Sequence, residues 1–332
     1  MDYELCFPQL NASCRKERRP HIETVLLYIL LLSLSLLTVM LNLLVITSIS
    51  HFKQLHTPTN FLILSLAFSD FFVGLLMSFQ ILLTNGCWLL GDVICALYSV
   101  LGFIITSASV GTMVLISVDR YIAICDPLHY HTKVTVRAVI HCTCLCWACS
   151  VVYNSLIMKD NLKQPGSDNL KQPGMYNSCA GECVIVLNLI ERVADVILTF
   201  IIPITVIIVL YMRVFVVVVS QARAMRSHVA PASLQHSHTL TAKKSELKAA
   251  RTLGLVIVVF LLCIFPYFCV SLLDQHILLD TSSVAFVICL AYVNSCLNPM
   301  IYVFFYPWFR KSIRFIVTFD ILKPGSSDTQ ML

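Results

Sequence analysis

Charged residues are scarce in this sequence. Asp, Glu, Lys and Arg make up 12% of its 332 residues, whereas 58% are hydrophobic, and the mean hydropathy is +0.83. A soluble domain of this size needs far more polar surface to cover itself. Apolar runs of about 20 residues, long enough to cross a bilayer as a helix, recur along nearly the whole chain. The composition therefore excludes a soluble protein and indicates a multi-pass membrane protein.

Seven apolar runs are separated by loops that are short except for 159–186 and 216–249. We predict an all-α membrane protein, a seven-transmembrane helix bundle (24–305) that follows an extracellular tail (1–23). A short amphipathic C-terminal helix and a cytoplasmic tail (306–332) complete it. The spans are predicted at 24–50, 59–83, 92–118, 137–158, 187–215, 250–273 and 283–305.

The distribution of basic residues predicts an extracellular N-terminus in the cell membrane. Residues 1–23 are polar and show no cleavable signal peptide, so the first span is expected to direct insertion. In this orientation 15 of the 23 Lys and Arg residues are cytoplasmic, although "RKERR" at 15–19 opposes it locally. Asn11-Ala12-Ser13 is a glycosylation acceptor, which requires a lumenal tail. The net charge of +5 therefore reflects topology rather than nucleic-acid binding, and "WFRKSIRFIV" after Pro307 suits a helix on the inner lipid surface.

Six of the fifteen cysteines fall outside the membrane in this topology. An even number on the oxidising side indicates three disulfides, for which six cysteines allow fifteen connectivities. The Cys and His spacings do not match a zinc site, and the cysteines within spans are expected to pack as small apolar residues. The six extracellular cysteines are Cys6, Cys14, Cys87, Cys95, Cys179 and Cys183.

Five polar residues interrupt the apolar spans: Asn42, Asp70, Asn294, Asn298 and Tyr302. A charge within a span costs about 2.5–3.5 kcal/mol on insertion scales, so such residues are functional candidates. Two compatible interpretations stay open. Asp70, Asn294 and Asn298 can hold a sodium ion, or the set can form a hydrogen-bond network between helices without an ion. We expect no other cofactor.

The tripeptide Asp119-Arg120-Tyr121 stands at the cytoplasmic end of span three. Arg120 can pair with Asp119 beside it and reach an acid on another helix, for which Glu246 at the start of span six is the candidate. A buried ion pair that breaks on movement is a two-state element. This pattern predicts a conformational switch.

At this point the sequence resembles a known family. The segments "NFLILSLAFSDFFVG", "DRYIAICDPLHY" and "NSCLNPMIY", with Cys95 heading span three and Trp147 in span four, are similar to the rhodopsin-like G-protein-coupled receptors. The resemblance covers essentially the whole chain. It implies a receptor and not an enzyme, with an outer ligand and an inner heterotrimeric G protein. The activation residues that it implies are Asp119, Arg120, Tyr121, Tyr211, Glu246, Ile264, Pro266, Asn298, Pro299 and Tyr302.

Three further segments, "ELCFPQLNASC", "KAARTLG" and "NSCLNPMIYVFFYPWFRK", resemble the trace amine-associated receptors. This resemblance implies a small trace or biogenic amine as ligand, a stimulatory G protein with cAMP signalling, and expression in olfactory sensory neurons. It also implies the pairings Cys95–Cys183, Cys6–Cys179 and Cys14–Cys87.

Two departures from the family pattern concern function. Most amine receptors hold the ammonium with an aspartate 18 residues before the span-three arginine, but Gly102 stands there and "YSVLGFIITSASV" contains no acid. Ile264 replaces the tryptophan that the family usually carries in span six. Asp195 lies eight residues before Pro203 in span five, about 12 Å further out, which predicts that the ammonium partner has moved there. This resembles a group of fish trace amine-associated receptors.

Ligand binding is therefore predicted for one set of residues: Gly102, Phe103, Thr106, Asp195, Thr199, Tyr267, Phe268 and Tyr292. Three acids near the outer mouth, Glu191, Asp274 and Asp280, are not well placed for a second ammonium, which favours a monoamine. Asp195 can instead be structural, paired with Arg192 or placed at the lipid interface, in a receptor for a non-amine odorant. A transporter lacks support because inverted repeats are not seen.

Overall fold

The computed structural model describes residues 3–10, 13–17, 21–84, 87–159, 181, 183, 187–227, 254–270 and 281–331. Long apolar helices dominate these ranges because a backbone in lipid must satisfy its hydrogen bonds within its own segment. The helices of spans one to four are His21–His51, Pro58–Thr84, Gly91–Cys125 and Val136–Ile157. Spans six and seven contain Gly254–Val270 and Thr281–Phe305, and the helix Pro307–Val317 follows.

Span five is a composite helix. It begins as an α-helix at Leu189–Asp195, continues as a π-helical turn at Val196–Ile201, and returns to α-helix at Ile202–Ser227. Such turns carry an extra residue and are frequent at functional sites. The composite helix places Asp195 at the junction between the first two parts.

Within the described ranges, five helices are long and apolar enough to cross a membrane, and two shorter apolar helices are Gly254–Val270 and Cys289–Phe305. Several helices extend beyond the predicted spans. The helix of span three, for example, runs to Cys125, whereas the predicted span ends at 118. Helix geometry does not stop at the edge of an apolar run, so the helix carries Arg120 one turn before its end.

Large apolar side chains face outward and polar ones face inward. Leu26, Leu36 and Phe304 are 61%, 64% and 72% exposed, whereas Asn42 and Asp70 are 0% and 1% exposed. A lipid-facing surface explains this arrangement, because apolar side chains lose nothing against acyl chains.

Small and polar residues allow the helices to approach closely. The Ser35 hydroxyl donates to the backbone oxygen of Gly74 at 2.7 Å, and a Cβ at Gly74 would lie 2.9 Å from Val39. Spans two, three and four meet at Ser65, which accepts from the Trp147 indole at 3.1 Å and lies 3.2 Å from the Thr112 hydroxyl. These contacts fix the helices around the cavity described below.

The C-terminal segment packs against the inner face of the bundle. Phe309 is fully buried on the helix Pro307–Val317. Beyond this helix, Asp328 pairs with Lys53 at 3.0 Å, and the amide of Met331 donates to Gln54 at 2.9 Å. The first inner loop therefore contacts the end of the chain.

The disulfides of the described residues differ in part from the expected pattern. Cys95–Cys183 is present as the family resemblance implies. Cys6 pairs with Cys87, so the expected pairings Cys6–Cys179 and Cys14–Cys87 are wrong. Cys14 is also disulfide-bonded, and its partner lies outside the described residues, as do Cys179 and the acceptor Asn11.

The N-terminal hairpin explains why Cys6 pairs with Cys87. Strands Tyr3–Leu5 and Arg15–Glu17 pair antiparallel, and the Cys6 amide donates to the Cys14 oxygen at 3.0 Å. The hairpin lies against Gly181, where an added Cβ would approach Cys6 to 2.9 Å. The Trp88 amide in turn donates to the Gly181 oxygen at 2.8 Å, so one short stretch holds Cys6 beside Cys87.

Peptide mapping of the purified receptor under non-reducing conditions checks this pairing. We expect a proteolytic fragment that links Cys6 to Cys87 and a second that links Cys95 to Cys183. A Cys6→Ser variant leaves Cys87 without its partner and is expected to lower stability by about 2–5 kcal/mol. Recovery of a Cys14–Cys87 fragment from the parent protein contradicts the pairing.

Candidate ligand-binding site

A cavity of about 240 Å³ opens between spans two, three, five, six and seven. The cavity brings together the eight residues that the sequence analysis predicts for ligand binding. They are Gly102, Phe103, Thr106, Asp195, Thr199, Tyr267, Phe268 and Tyr292. Their roles in binding remain a prediction, since no ligand is present.

Asp195 supplies the charge of the cavity. It is the only Asp, Glu, Lys or Arg among the described lining residues, and it is half-buried. No ion pair of Asp195 occurs within the part of the chain that the structure describes, and Arg192 does not pair with it there. A carboxylate in such a place is costly unless a cation reaches it.

The local structure of span five directs Asp195 to the cavity. Asn188 caps the helix, accepting from the Glu191 amide at 2.8 Å, while the Glu191 carboxylate accepts from the Asn188 amide at 3.0 Å. This reciprocal pair is a capping box. At the following π-helical turn, the Thr199 hydroxyl donates to the backbone oxygen of Asp195 at 2.7 Å. Thr199 therefore satisfies the backbone of Asp195 at the point where the helix widens.

Gly102 faces Asp195 with open space. A Cβ added at Gly102 meets nothing within 4 Å. Crowding therefore does not require glycine at this position. By contrast, a Cβ at Gly111, nine residues further along span three, would overlap the sulfur of Cys146. Gly111 is needed for packing, whereas Gly102 leaves room in the cavity.

Aromatic rings form one wall of the cavity. Phe268 is 3% exposed and stacks on Phe200, with ring centroids 4.3 Å apart and planes inclined by 21°. Tyr267 meets Phe268 edge-on at 5.5 Å, and Phe103 lines the cavity from span three. Aromatic faces suit the apolar body of a small cation.

A second polar group lies at the other end of the cavity, on spans two, three and seven. The Tyr98 hydroxyl donates to Gln80 Oε1 at 2.9 Å and lies 3.2 Å from the Tyr292 hydroxyl, which is 3.5 Å from Gln80 Oε1. Sequence reasoning included Tyr292 but missed Gln80 and Tyr98. The available signals were an amide in an apolar span and a tyrosine one turn before Gly102.

The floor of the cavity joins a buried polar cluster. Ile264 and Asn294 line the floor, and below them the Asn298 amide donates to Asp70 Oδ2 at 2.8 Å. The Asn42 amide donates to the Ser295 oxygen at 2.9 Å. The second carboxylate oxygen of Asp70 and the amide oxygens of Asn294 and Asn298 are buried without a hydrogen-bond partner among the described residues. Three oxygens of this kind fit a small hard cation such as sodium.

At the inner end of span three, Arg120 is held in a closed network. Its guanidinium donates to Asp119 Oδ2 at 2.5 Å and to the Thr59 hydroxyl at 2.6 Å. The Tyr130 hydroxyl donates to Asp119 Oδ1 at 2.8 Å. Sequence reasoning predicted the Asp119–Arg120 pair and missed Thr59 and Tyr130. Glu246 lies outside the described residues.

Of two tyrosines predicted for activation, Tyr302 is buried and Tyr211 is half-buried. The hydroxyls of Tyr211 and Tyr302 find no partner within the described ranges. Gly254 brings span six close to Tyr211, since a Cβ there would lie 3.3 Å from the ring. Tyr121 packs beside Val214 on span five. Pro266 and Pro299 lie within their helices, and their roles stay predictions.

The second inner loop is ordered around an exposed ion cluster. Lys133 donates to Asp126 at 2.9 Å, and the His129 ring lies 2.7 Å from the same carboxylate. Together Lys133 and His129 hold the pKa of Asp126 below its usual value. The cluster braces the turn that carries Tyr130 to Asp119.

Comparison with known proteins identifies the family. The model of the 7 transmembrane receptor (rhodopsin family) matches residues 41–302. Trace amine-associated receptor 13c of Danio rerio is 37% identical over 99% of this chain and 96% of its own length. Trace amine-associated receptor 8a of Rattus norvegicus is 40% identical over 98% and 95%, and receptor 4 of Mus musculus is 34% identical over 99% and 96%.

These matches confirm the prediction of an all-α seven-transmembrane bundle and of a multi-pass membrane protein that is a receptor and not an enzyme. Members of this class bind a small-molecule ligand and a G protein. The chain belongs to the rhodopsin family of 7 transmembrane receptors and, within it, to the trace amine-associated receptors.

Proposed function

We propose that this receptor responds to small monoamines and that Asp195 binds their ammonium group. The observation that carries the proposal is the isolated carboxylate of Asp195, which lines the cavity without an ion pair among the described residues. The names of the relatives refer to trace amines, and an ammonium is the cation that this carboxylate lacks.

The ligand lies reversed relative to most amine receptors, with its charged end on span five. Gly102 leaves the span-three position without an acid and without bulk. The aromatic wall of Phe103, Tyr267 and Phe268 contacts the body of the ligand. Glu191 is engaged in the capping box, and Asp274 and Asp280 lie outside the described residues, so a single ammonium site is favoured over two.

Activation follows from the position of the charge. An ammonium at Asp195 draws span five toward the cavity, and the Phe200–Phe268 stack transmits the movement to span six. Movement of span six outward separates the helices around Arg120 and opens a cleft for a G protein. Tyr211 and Tyr302 then find partners for hydroxyls that lack one in the described structure.

The proposal also covers G-protein coupling, orientation in the membrane and the site of expression. The receptor couples to a stimulatory G protein and raises cAMP, as the family resemblance implies. Its N-terminus is extracellular and carries a glycan at Asn11, and it acts in olfactory sensory neurons. The helix Pro307–Val317 lies on the inner lipid surface.

A receptor for a non-amine odorant is the second candidate. In that case Asp195 has a structural role only, and neutral ligands fill the same cavity. The absence of an ion pair of Asp195 among the described residues favours the amine receptor, because a structural charge within a span is expected to be paired with an opposite charge.

Substitution of Asp195 tests the ammonium site. In cells that express the receptor with a cAMP reporter, Asp195→Asn is expected to raise the half-maximal amine concentration about 30-fold or more, since loss of a desolvated charge partner costs about 2–5 kcal/mol. Glu191→Gln is the matched control, because that acid caps the helix, and it should leave potency within about three-fold. Surface labelling corrects for expression. An amine response that Asp195→Asn leaves intact refutes the ammonium site.

A second carboxylate at Gly102 tests the reversed orientation. A Cβ there meets nothing within 4 Å, so Gly102→Asp is expected to fold and to raise potency for α,ω-diamines relative to monoamines about ten-fold or more. Gly102→Asn has the same shape without charge and should give no such gain. An equal response of the two variants contradicts the orientation.

We propose further that sodium binds at Asp70, Asn294 and Asn298 and favours the closed receptor. Replacement of sodium by N-methyl-D-glucamine is then expected to raise amine potency about five-fold or more, a usual size of coupling between sites. Asp70→Asn removes the charge and should abolish the dependence on sodium. Equal dependence in the parent and the variant contradicts a sodium site.

A further inference from the structure

The far end of the cavity contains a polar triad, which we define as Gln80, Tyr98 and Tyr292. All three line the same cavity as Asp195, and they come from three different spans. Their mutual distances are 2.9, 3.2 and 3.5 Å. The prediction of an amine site from the sequence does not use this triad as a unit.

The number of hydroxyl protons decides which hydrogen bonds the triad can form with a ligand. Each tyrosine hydroxyl has one proton to donate and two lone pairs that accept. Tyr98 donates its proton to Gln80 Oε1. Tyr292 then donates either to the Tyr98 oxygen or to Gln80 Oε1, which are 3.2 and 3.5 Å away. Both hydroxyl protons remain within the triad, so each hydroxyl oxygen keeps a lone pair that can accept a hydrogen bond.

The charge of the triad limits its partner. None of the three side chains carries a formal charge, and Asp195 is the only charged side chain among the described lining residues. A second ammonium would therefore lose its hydration without a carboxylate to replace it. An anion would meet acceptor oxygens. A neutral hydrogen-bond donor, above all a hydroxyl group, needs no carboxylate and can donate to the acceptor oxygens.

Asp195 and the triad line one continuous cavity of about 240 Å³. Tyr98 lies one helical turn outside Gly102 on the same helix, and the missing side chain at Gly102 leaves the space beside it open. Tyr267 lines the same cavity as Asp195 and Tyr98. Between the ends, Phe103 and Phe268 give an apolar surface.

We propose that the receptor selects amines that carry a hydroxyl group at the end opposite to the ammonium. The ammonium binds Asp195, the apolar body contacts Phe103 and Phe268, and the hydroxyl donates to the oxygens of Tyr98 and Tyr292, which Gln80 holds in place. This assignment rests on the proposed function and adds the class of ligand, an aliphatic amino alcohol or a phenolic amine.

Matched ligand pairs test the selection in the intact receptor. The probes are tyramine against 2-phenylethylamine, and ω-hydroxyalkylamines of three to eight carbons against the n-alkylamines of the same length. In at least one pair the hydroxylated amine is expected to be about five-fold or more potent, the effect of one net hydrogen bond in a buried site. The readout is the half-maximal concentration in a cAMP assay, with a promiscuous G protein as a second reporter.

Removal of the hydroxyls assigns the preference to the triad. Tyr98→Phe and Tyr292→Phe, alone and combined, keep both rings and are expected to bring the potency ratio of that pair close to one. The ratio is taken between the two amines of a pair within each variant, so a loss of potency common to both amines cancels. Tyr28→Phe on span one removes a hydroxyl outside the cavity lining and should keep the ratio of the parent.

The outcomes separate this inference from the proposed function. One outcome is that amines activate the parent through Asp195 without any pair in which the hydroxylated amine is more potent. In that case the selection for a hydroxyl group is refuted, and the proposal of an amine receptor stands. A preference that persists in the single and combined variants also refutes it, since the hydroxyl then binds elsewhere. If no amine of the panel activates the parent with either reporter, the proposed function fails, and this inference fails with it. The two single variants decide the assignment to the triad even if the combined variant does not reach the cell surface.

Discussion

The carboxylate of Asp195 imposes the constraint on which the account of this receptor depends. It lines an outer cavity in a chain with few charges, and no described residue forms an ion pair with it. Burial of such a group is unfavourable without a cation, which is why we propose the ammonium site at this carboxylate. The π-helical turn and the Thr199 bond fix the position of that group, and Gly102 opens the space opposite to it.

Three polar clusters follow one another along the bundle axis. The Gln80–Tyr98–Tyr292 triad lies at the outer cavity, the Asp70–Asn298 pair lies beneath its floor, and the Asp119–Arg120–Thr59 network lies at the inner end. Each is surrounded by apolar side chains, and each therefore has a few well-defined hydrogen-bonded arrangements rather than a continuum. A ligand that changes the helix positions at the first cluster alters the packing around the others, which is how a small molecule biases a two-state element.

The sequence was informative where a polar residue interrupts an apolar run. Asp70, Arg120 and Asp195 stand out for this reason, and the structure places the first two in the buried pairs that the sequence indicates. Tyr98 and Gln80 were missed because a tyrosine or an amide in a span has no evident direction until the helices are packed. The Cys6–Cys87 bond was predicted wrongly because the choice among cysteines depends on where the N-terminal hairpin rests, and local sequence does not determine that.

The central claim is that the ammonium of the ligand binds on span five rather than on span three. An electron cryomicroscopy structure of the receptor with an activating amine and its G protein measures this directly. The account predicts the amine nitrogen at about 2.8 Å from a carboxylate oxygen of Asp195, the usual distance of a charge-assisted hydrogen bond, with the rest of the ligand directed past Gly102. A nitrogen located beside Gly102 and Tyr292, with Asp195 in contact only with protein, would contradict it.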